Sequence, residues 1–345
     1  MSLQFNEIDA LFRPFTDGSD LPHYRVMELP ASGSARRYYR IIFKERVRFE
    51  FPVSSVLVCV SDNIEENDTF CRLTEYLLEK GIRVPSIYAY SRNKGIYLLQ
   101  DLGDTDLLSY LKGNSLQDKK WDLIEEALKE LVRFQRLPEQ EWEKLVQFHP
   151  LDLSLIRYDC NYALENLIIP SGVSYESKGL SDEFSKLEER LLSFPQSLWG
   201  LMYRDFQSRN IMLAPKPYFI DYQSARRGPG IYDLVSFAWQ AKAGFTTEER
   251  RLLISIYCNC IERYEEGSGN VIKREIGYWA LFRIIQTLGA YGLRGLKEGK
   301  PHFIESIPQA LNNMKLLMEE SALKTEFEEI YRLAGRLAEW CDKKR

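Results

Sequence analysis

Tyr203-Arg204-Asp205-Phe206-Gln207-Ser208-Arg209-Asn210, then Ile211-Met212-Leu213, then Phe219-Ile220-Asp221-Tyr222-Gln223 bring together side chains that suit one reaction. Transfer of a phosphoryl group to an alcohol needs little covalent help from a protein. It needs an in-line hydroxyl, a carboxylate that orients the hydroxyl and takes its proton, and a divalent cation on the phosphates. Here Asp205 is the candidate base, and Asn210 and Asp221 are the candidate cation ligands. Oxygen donors of this kind suit Mg²⁺, a hard cation that usually keeps several waters. Any one of these spacings alone fits a turn former or a strand end. The base, the two ligands and the apolar strands around them together point to phosphoryl transfer.

The elements that must position these residues fall into two groups. Strands dominate the first hundred residues, with Arg37–Phe43, Arg46–Phe51, Val56–Val60 and Gly95–Leu99 expected. Between them, Glu65–Lys80 carries Phe70, Leu73, Leu77 and Leu78 on one side of a helix that Gly81 stops. Gln100-Asp101-Leu102-Gly103-Asp104 breaks the pattern. Beyond it the chain reads as helical at 116–136, 272–296, 304–318 and 325–340. Helix caps are expected at Ser181-Asp182-Glu183 and Thr246-Thr247-Glu248-Glu249, and short strands near 211–213 and 218–221. Single cores stop growing near ~250–300 residues, so a chain of this length should form two lobes. The expected class is α+β: a small β-rich lobe over residues 1–100, a hinge near 99–104, and a larger helical lobe over 101–345.

Composition excludes several kinds of protein. The 46 basic and 50 acidic side chains leave a net charge of −4, which gives no electrostatic reason to expect nucleic acid or an anionic membrane. No apolar run approaches the ~20 residues that span a bilayer. Residues 1–10 lack the basic segment and apolar run of a signal peptide. A cytoplasmic protein is expected, and the six cysteines then read as free thiols. Cys258 and Cys260 lie in an apolar helical pattern far from any of the three histidines, which favours small buried hydrophobes over zinc ligands.

The stretch from Tyr203 to Asp233 resembles the aminoglycoside phosphotransferase/choline kinase family. The likeness rests on Arg-Asp-Phe-Gln-Ser-Arg-Asn at 204–210, Phe-Ile-Asp-Tyr-Gln at 219–223 and Gly-Pro-Gly-Ile-Tyr-Asp-Leu at 228–234. Asn67, Phe70, Val84-Pro85, residues 98–104 and residues 283–295 resemble the bacterial branch that phosphorylates N-acetylmuramate and N-acetylglucosamine at the anomeric hydroxyl. The resemblance implies a protein-kinase-like two-lobed fold, ATP and Mg²⁺, and a small-molecule acceptor, an amino sugar by preference. Two departures stand out. Tyr203 occupies a position where the family usually has histidine. The strand Ser55-Val56-Leu57-Val58-Cys59-Val60 lacks the lysine that many relatives use to hold the α- and β-phosphates.

Another group must then meet the phosphates. Ser32-Gly33-Ser34 lies where a phosphate-covering loop belongs, because small residues let backbone N–H groups approach an anion. Arg36, Arg37 and Arg40 follow it, and Arg37 and Arg40 are the preferred substitutes for the lysine. Gln100, Asp101 and Leu102 form the expected adenine-binding hinge. Glu65, Glu66 and Asp68 open a helix, where acids meet the dipole favourably. On the acceptor side, Gln207, Arg209, Gln223, Asp159 and Arg283 offer hydrogen bonds and charge suited to a sugar. Two other readings stay open: a kinase for an aminoglycoside, choline or other amino alcohol, and a catalytically silent nucleotide-binding relative. A cationic acceptor would call for a cluster of carboxylates, and no acidic run flanks the catalytic loop, while the intact Asp205, Asn210 and Asp221 speak against silence.

Overall fold

The computed structural model describes residues 5–15, 22–30, 36–49, 52–113 and 119–344. Ser32, Gly33 and Ser34 lie outside the described residues. An antiparallel sheet of five strands forms the N-terminal part, in the order β1-β2-β3-β5-β4. Its strands are β1 (Tyr24–Glu28), β2 (Arg37–Arg48), β3 (Pro52–Val60), β4 (Ile87–Ser91) and β5 (Ile96–Gln100). The sequence expects two strands where β2 runs as one. Its pairing with β3 shifts register between Ile42 and Val47. The intervening Lys44, Glu45 and Arg46 are exposed, so the irregularity keeps three charges in water without ending the strand.

The period of two along these strands sorts their side chains onto two cores. Tyr39, Ile41, Phe43, Val56, Val58, Val60, Ile96 and Leu98 pack with Ile8, Leu11 and Phe12 of helix α1 (Phe5–Phe12). Cys59, Tyr97 and Leu99 belong to a second core with Phe70, Leu73 and Leu77 of helix α2 (Ile64–Glu79), and this core continues through the rest of the molecule. Six buried thiols are all free.

After β5 come helices α3 (Leu107–Lys112) and α4 (Lys120–Gln135), and the remaining chain is mostly helical. Two small antiparallel strand pairs interrupt it. In one, β6 (Trp199–Met202) pairs with β9 (Arg226–Pro229); in the other, β7 (Ile211–Leu213) pairs with β8 (Pro217–Phe219). Gly200 in β6 lies so close to the end of α4 that a Cβ there would stand 2.0 Å from the Gln135 carbonyl oxygen. Thr246 caps the helix Thr247–Ile261 with a full capping box through Glu249, as the sequence indicates. The cap expected at Ser181-Asp182-Glu183 falls inside a helix, Ser177–Leu192, which Glu176 caps instead. Glu183 accepts the backbone N–H groups of Glu329 and Ile330 at 2.8 Å each, and so caps the C-terminal helix Glu328–Lys343 across the interface. The helix expected at 304–318 begins at Ile307 behind a Ser306 turn, and the long helix Ser268–Gly292 widens to a π turn at Leu293–Lys297. No helix among the described residues is long and apolar enough to cross a membrane.

Candidate active site

β6 delivers the chain to Tyr203, and its partner β9 leads to Gly230 and the helix Ile231–Ala238. Asp233, in the first turn of that helix, is completely buried. It accepts the backbone N–H of Tyr203 at 2.8 Å, that of Arg204 at 2.9 Å, and the Gln135 amide at 2.8 Å. Gln135 also donates to the Gly230 carbonyl at 3.0 Å and accepts from the Tyr257 hydroxyl at 2.7 Å. Burial pushes the Asp233 carboxyl up to about 7, against the opposing pull of its three donors. One carboxylate thus fixes the backbone at the entry to the catalytic loop.

Arg204 stands at φ 79, a left-handed conformation that costs a non-glycine residue energy. Its side chain donates to Asp159 at 2.7 Å and lies over the Tyr232 ring at 4.8 Å. Asp159 is 2% exposed, so the carboxylate assigned to the acceptor by sequence is taken up by Arg204. Tyr203 donates its hydroxyl to the carbonyl of Ile220. Its ring packs among Phe134, Phe206, Phe219 and Tyr222. The phenol therefore ties the start of the loop to the residue just before Asp221.

Between these anchors, backbone and side-chain bonds tie the segments that carry Asp205, Asn210 and Asp221 to one another. Asn210 donates its side-chain amide to the Asp205 carbonyl at 2.8 Å, which leaves Oδ1 to face a cation. The Asn210 carbonyl accepts the Ile220 N–H at 3.0 Å, and the β7–β8 ladder closes the loop behind it. Asp221 is exposed, stands at φ 67, and accepts the Gln223 amide at 2.8 Å. As oxygen donors, Asn210 and Asp221 would suit a hard divalent cation.

Asp205 itself is 44% exposed, with Arg283 Nη2 at 3.7 Å from Oδ1. Arg283 is 8% exposed and held by Ser236 at 2.7 Å, Thr287 at 3.0 Å and Gln286. It thus stands against the candidate base. Gln207 is half-buried and Arg209 exposed, on a turn that Gln240 holds through Ser208 at 2.7 Å. Gln135, Tyr257 and Gln240 are the supporting residues that sequence reading misses. For Gln135 and Tyr257 the only signal is a polar group in an apolar helical pattern, and Gln240 lies just past the helix Ile231–Ala238. A groove of about 330 Å³ lined by Trp239, Arg250, Ile276 and Leu317 shares no residue with this constellation.

In the N-terminal part, Arg40 forms ion pairs with Asp101 at 2.8 Å and Asp104 at 2.7 Å, and donates to the Gly103 carbonyl at 3.2 Å. It fastens the sheet to the segment after β5. Arg37, next to Arg36 in sequence, alternates to the α1 side of the sheet. Arg36 is 5% exposed and pairs with Glu66 at 2.7 Å. The acid assigned by sequence to the helix dipole therefore also has an ionic partner. Gln100 accepts the Ser86 N–H at 3.2 Å, and Leu102 is buried.

Known proteins resemble this chain in sequence and in fold. A family model described as the phosphotransferase enzyme family matches residues 59–267. An N-acetylmuramate/N-acetylglucosamine kinase of Pseudomonas aeruginosa is 28% identical over 62% of this chain and 60% of its own length. The match therefore spans less than two thirds of that relative. One of the same name from Neisseria meningitidis serogroup B is 24% identical over 83% of each chain. Among solved structures, choline kinase from Cryptosporidium parvum superposes with a TM-score of 0.63 at 14% identity, over 98% of this chain and 100% of that one. The ternary complex of APH(2″)-IIa with streptomycin and ATP does so at 0.57 and 13%, over 90% and 97%.

Proposed function

We propose that this chain, which belongs to the phosphotransferase enzyme family, moves the γ-phosphoryl group of ATP to a hydroxyl of an amino sugar such as N-acetylmuramate or N-acetylglucosamine. The convergence of Asp205, Asn210 and Asp221 on one loop-and-hairpin unit carries the reading. Asp205 orients the acceptor hydroxyl and takes its proton. Phosphoryl transfer passes through a loose transition state, so a carboxylate that chiefly orients the hydroxyl suffices, with Arg283 beside it. Asn210 Oδ1 and Asp221 would hold Mg²⁺, which supplies charge neutralisation on the transferring phosphates when bound. Gln207, Arg209, Gln223 and Arg283 face the acceptor, and Asp159 acts indirectly by holding Arg204. Gln100, Asp101 and Leu102 receive the adenine edge. The names of the two sugar-kinase relatives favour a sugar over an amine.

The test is ADP release from Mg·ATP across a panel of amino sugars, neutral sugars, choline and aminoglycosides. An amino sugar should give the highest kcat/KM, and its product should be an acid-labile anomeric phosphate. Turnover confined to the amines would replace the sugar by an amino alcohol. ADP binding without turnover on any acceptor would make the chain a silent relative.

A further inference from the structure

The lysine missing from β3 leaves a definite place to fill. The β2–β3 register sets Tyr38 opposite Cys59 and Arg37 opposite Val60. Cys59 and Tyr38 belong to the core on the α2 side of the sheet, whereas Val58 and Val60 belong to the α1 side. A cation reaching from position 59 would therefore point toward α2, but Cys59 is a fully buried thiol. Arg36 stands two residues before Tyr38 and so shares its face. Its Nη2 lies 2.7 Å from Glu66 Oε1 in the first turn of α2. Glu66 is itself oriented, because its other oxygen accepts the Asn63 amide at 3.1 Å and its N–H donates to Asn63 at 3.2 Å.

The same guanidinium lies 5.7 Å from the centre of the Phe70 ring. Tyr222 stacks on that ring at 5.3 Å, and its hydroxyl shares a 2.6 Å hydrogen bond with Thr74. Tyr222 directly follows Asp221. One aromatic platform on α2 thus carries the arginine and the residue next to the candidate cation ligand. Neither alternative arginine has this placement: Arg40 is committed to Asp101 and Asp104, and Arg37 alternates to the other face.

Resting on the phosphotransferase reading above, we propose that Arg36 is the phosphate-binding cation of this site. It does from the start of β2 what a lysine on β3 would do, with Glu66 as its carboxylate partner. A guanidinium fork serves a carboxylate through one nitrogen and phosphate oxygens through others, which an ammonium does less selectively. Burial works against the charge of Arg36, but Tyr97, Tyr38 and Glu66 together raise its pKa, so it stays protonated.

The experiment compares ADP and adenosine affinity in the full chain by titration calorimetry, alongside ATP kinetics. Arg36→Gln should weaken ADP roughly 10–100-fold, the range of a lost charge-assisted hydrogen bond, while adenosine changes less than about twofold. ATP KM should rise in step. Equal losses for ADP and adenosine would mark Arg36 as merely structural, and no loss would remove it from the site; either overturns the proposal. Glu66→Gln keeps Arg36 and stands in if Arg36→Gln does not fold. It should raise ATP KM with adenosine binding intact, and unchanged ATP KM and kcat would overturn the pairing. Wild-type protein that binds no ADP would sink the phosphotransferase reading itself, whereas wild-type binding that Arg36→Gln leaves intact sinks this assignment alone.

Discussion

At the scale of residues, Asp233 and Asp159 hold the two residues that lead into Asp205, the proposed base. Asp233 keeps its proton up to about pH 7 in the fold, whereas an unfolded aspartate releases it near ~4. The native state then binds more protons across this window, so the contribution of Asp233 to stability falls as pH rises from about 4 to about 7. Urea unfolding of wild type and Asp233→Asn should show a stability gap that narrows between about pH 5 and about pH 8; a gap independent of pH would contradict it. Asp159→Ala leaves the buried Arg204 charge without its carboxylate, and should cost roughly 3–5 kcal/mol in the same measurement. The proposed base and ligand positions rest on a local spacing that sequence alone displays. The partner of Asp159 is not legible there, because Arg204 lies 45 residues away and meets it only through folding. Burial turned a side chain that reads as acceptor-binding into a support.

At the scale of elements, the periodic signals served well wherever one face was buried, as in α2 and the strands on either side of it. They slipped where a chemical group served a neighbour. Ser181-Asp182-Glu183 has the composition of a cap, and Glu183 does cap a helix, but the one that begins at Glu328. β2 reads as two strands because three exposed charges interrupt its alternation, and the ladder absorbs them by changing register. Two glycines give opposite predictions. Gly200→Ala would drive a methyl group into the Gln135 carbonyl and shift the residue that holds Asp233, at a cost of roughly 1–3 kcal/mol. Gly335, inside the helix Glu328–Lys343, has nothing within 4 Å of a Cβ, so Gly335→Ala should add roughly 0.5–1 kcal/mol. Thermal melts of both variants check the pair.

At the scale of the whole molecule, the two-part organisation follows from composition, since the β-branched and aromatic runs end near residue 100 and helical periodicity takes over. How the parts meet does not follow from composition. Arg40 reads as a phosphate ligand in sequence and proves to be the strap between sheet and connecting segment. Arg40→Ala should accordingly weaken ADP and adenosine by similar factors, in contrast to the phosphate-selective loss expected at Arg36. Aromatic packing of Phe70 on Tyr222 and the Tyr203 bond to Ile220 then join α2, the catalytic loop and the segment carrying Asp221 into one unit. The most direct test of that unit is steady-state turnover of Asp205→Asn with Mg·ATP and the best amino-sugar acceptor, beside its ADP affinity. The account predicts a kcat lower by roughly 10²–10⁴-fold with ADP affinity within about twofold of wild type. A kcat within a few-fold of wild type would contradict it.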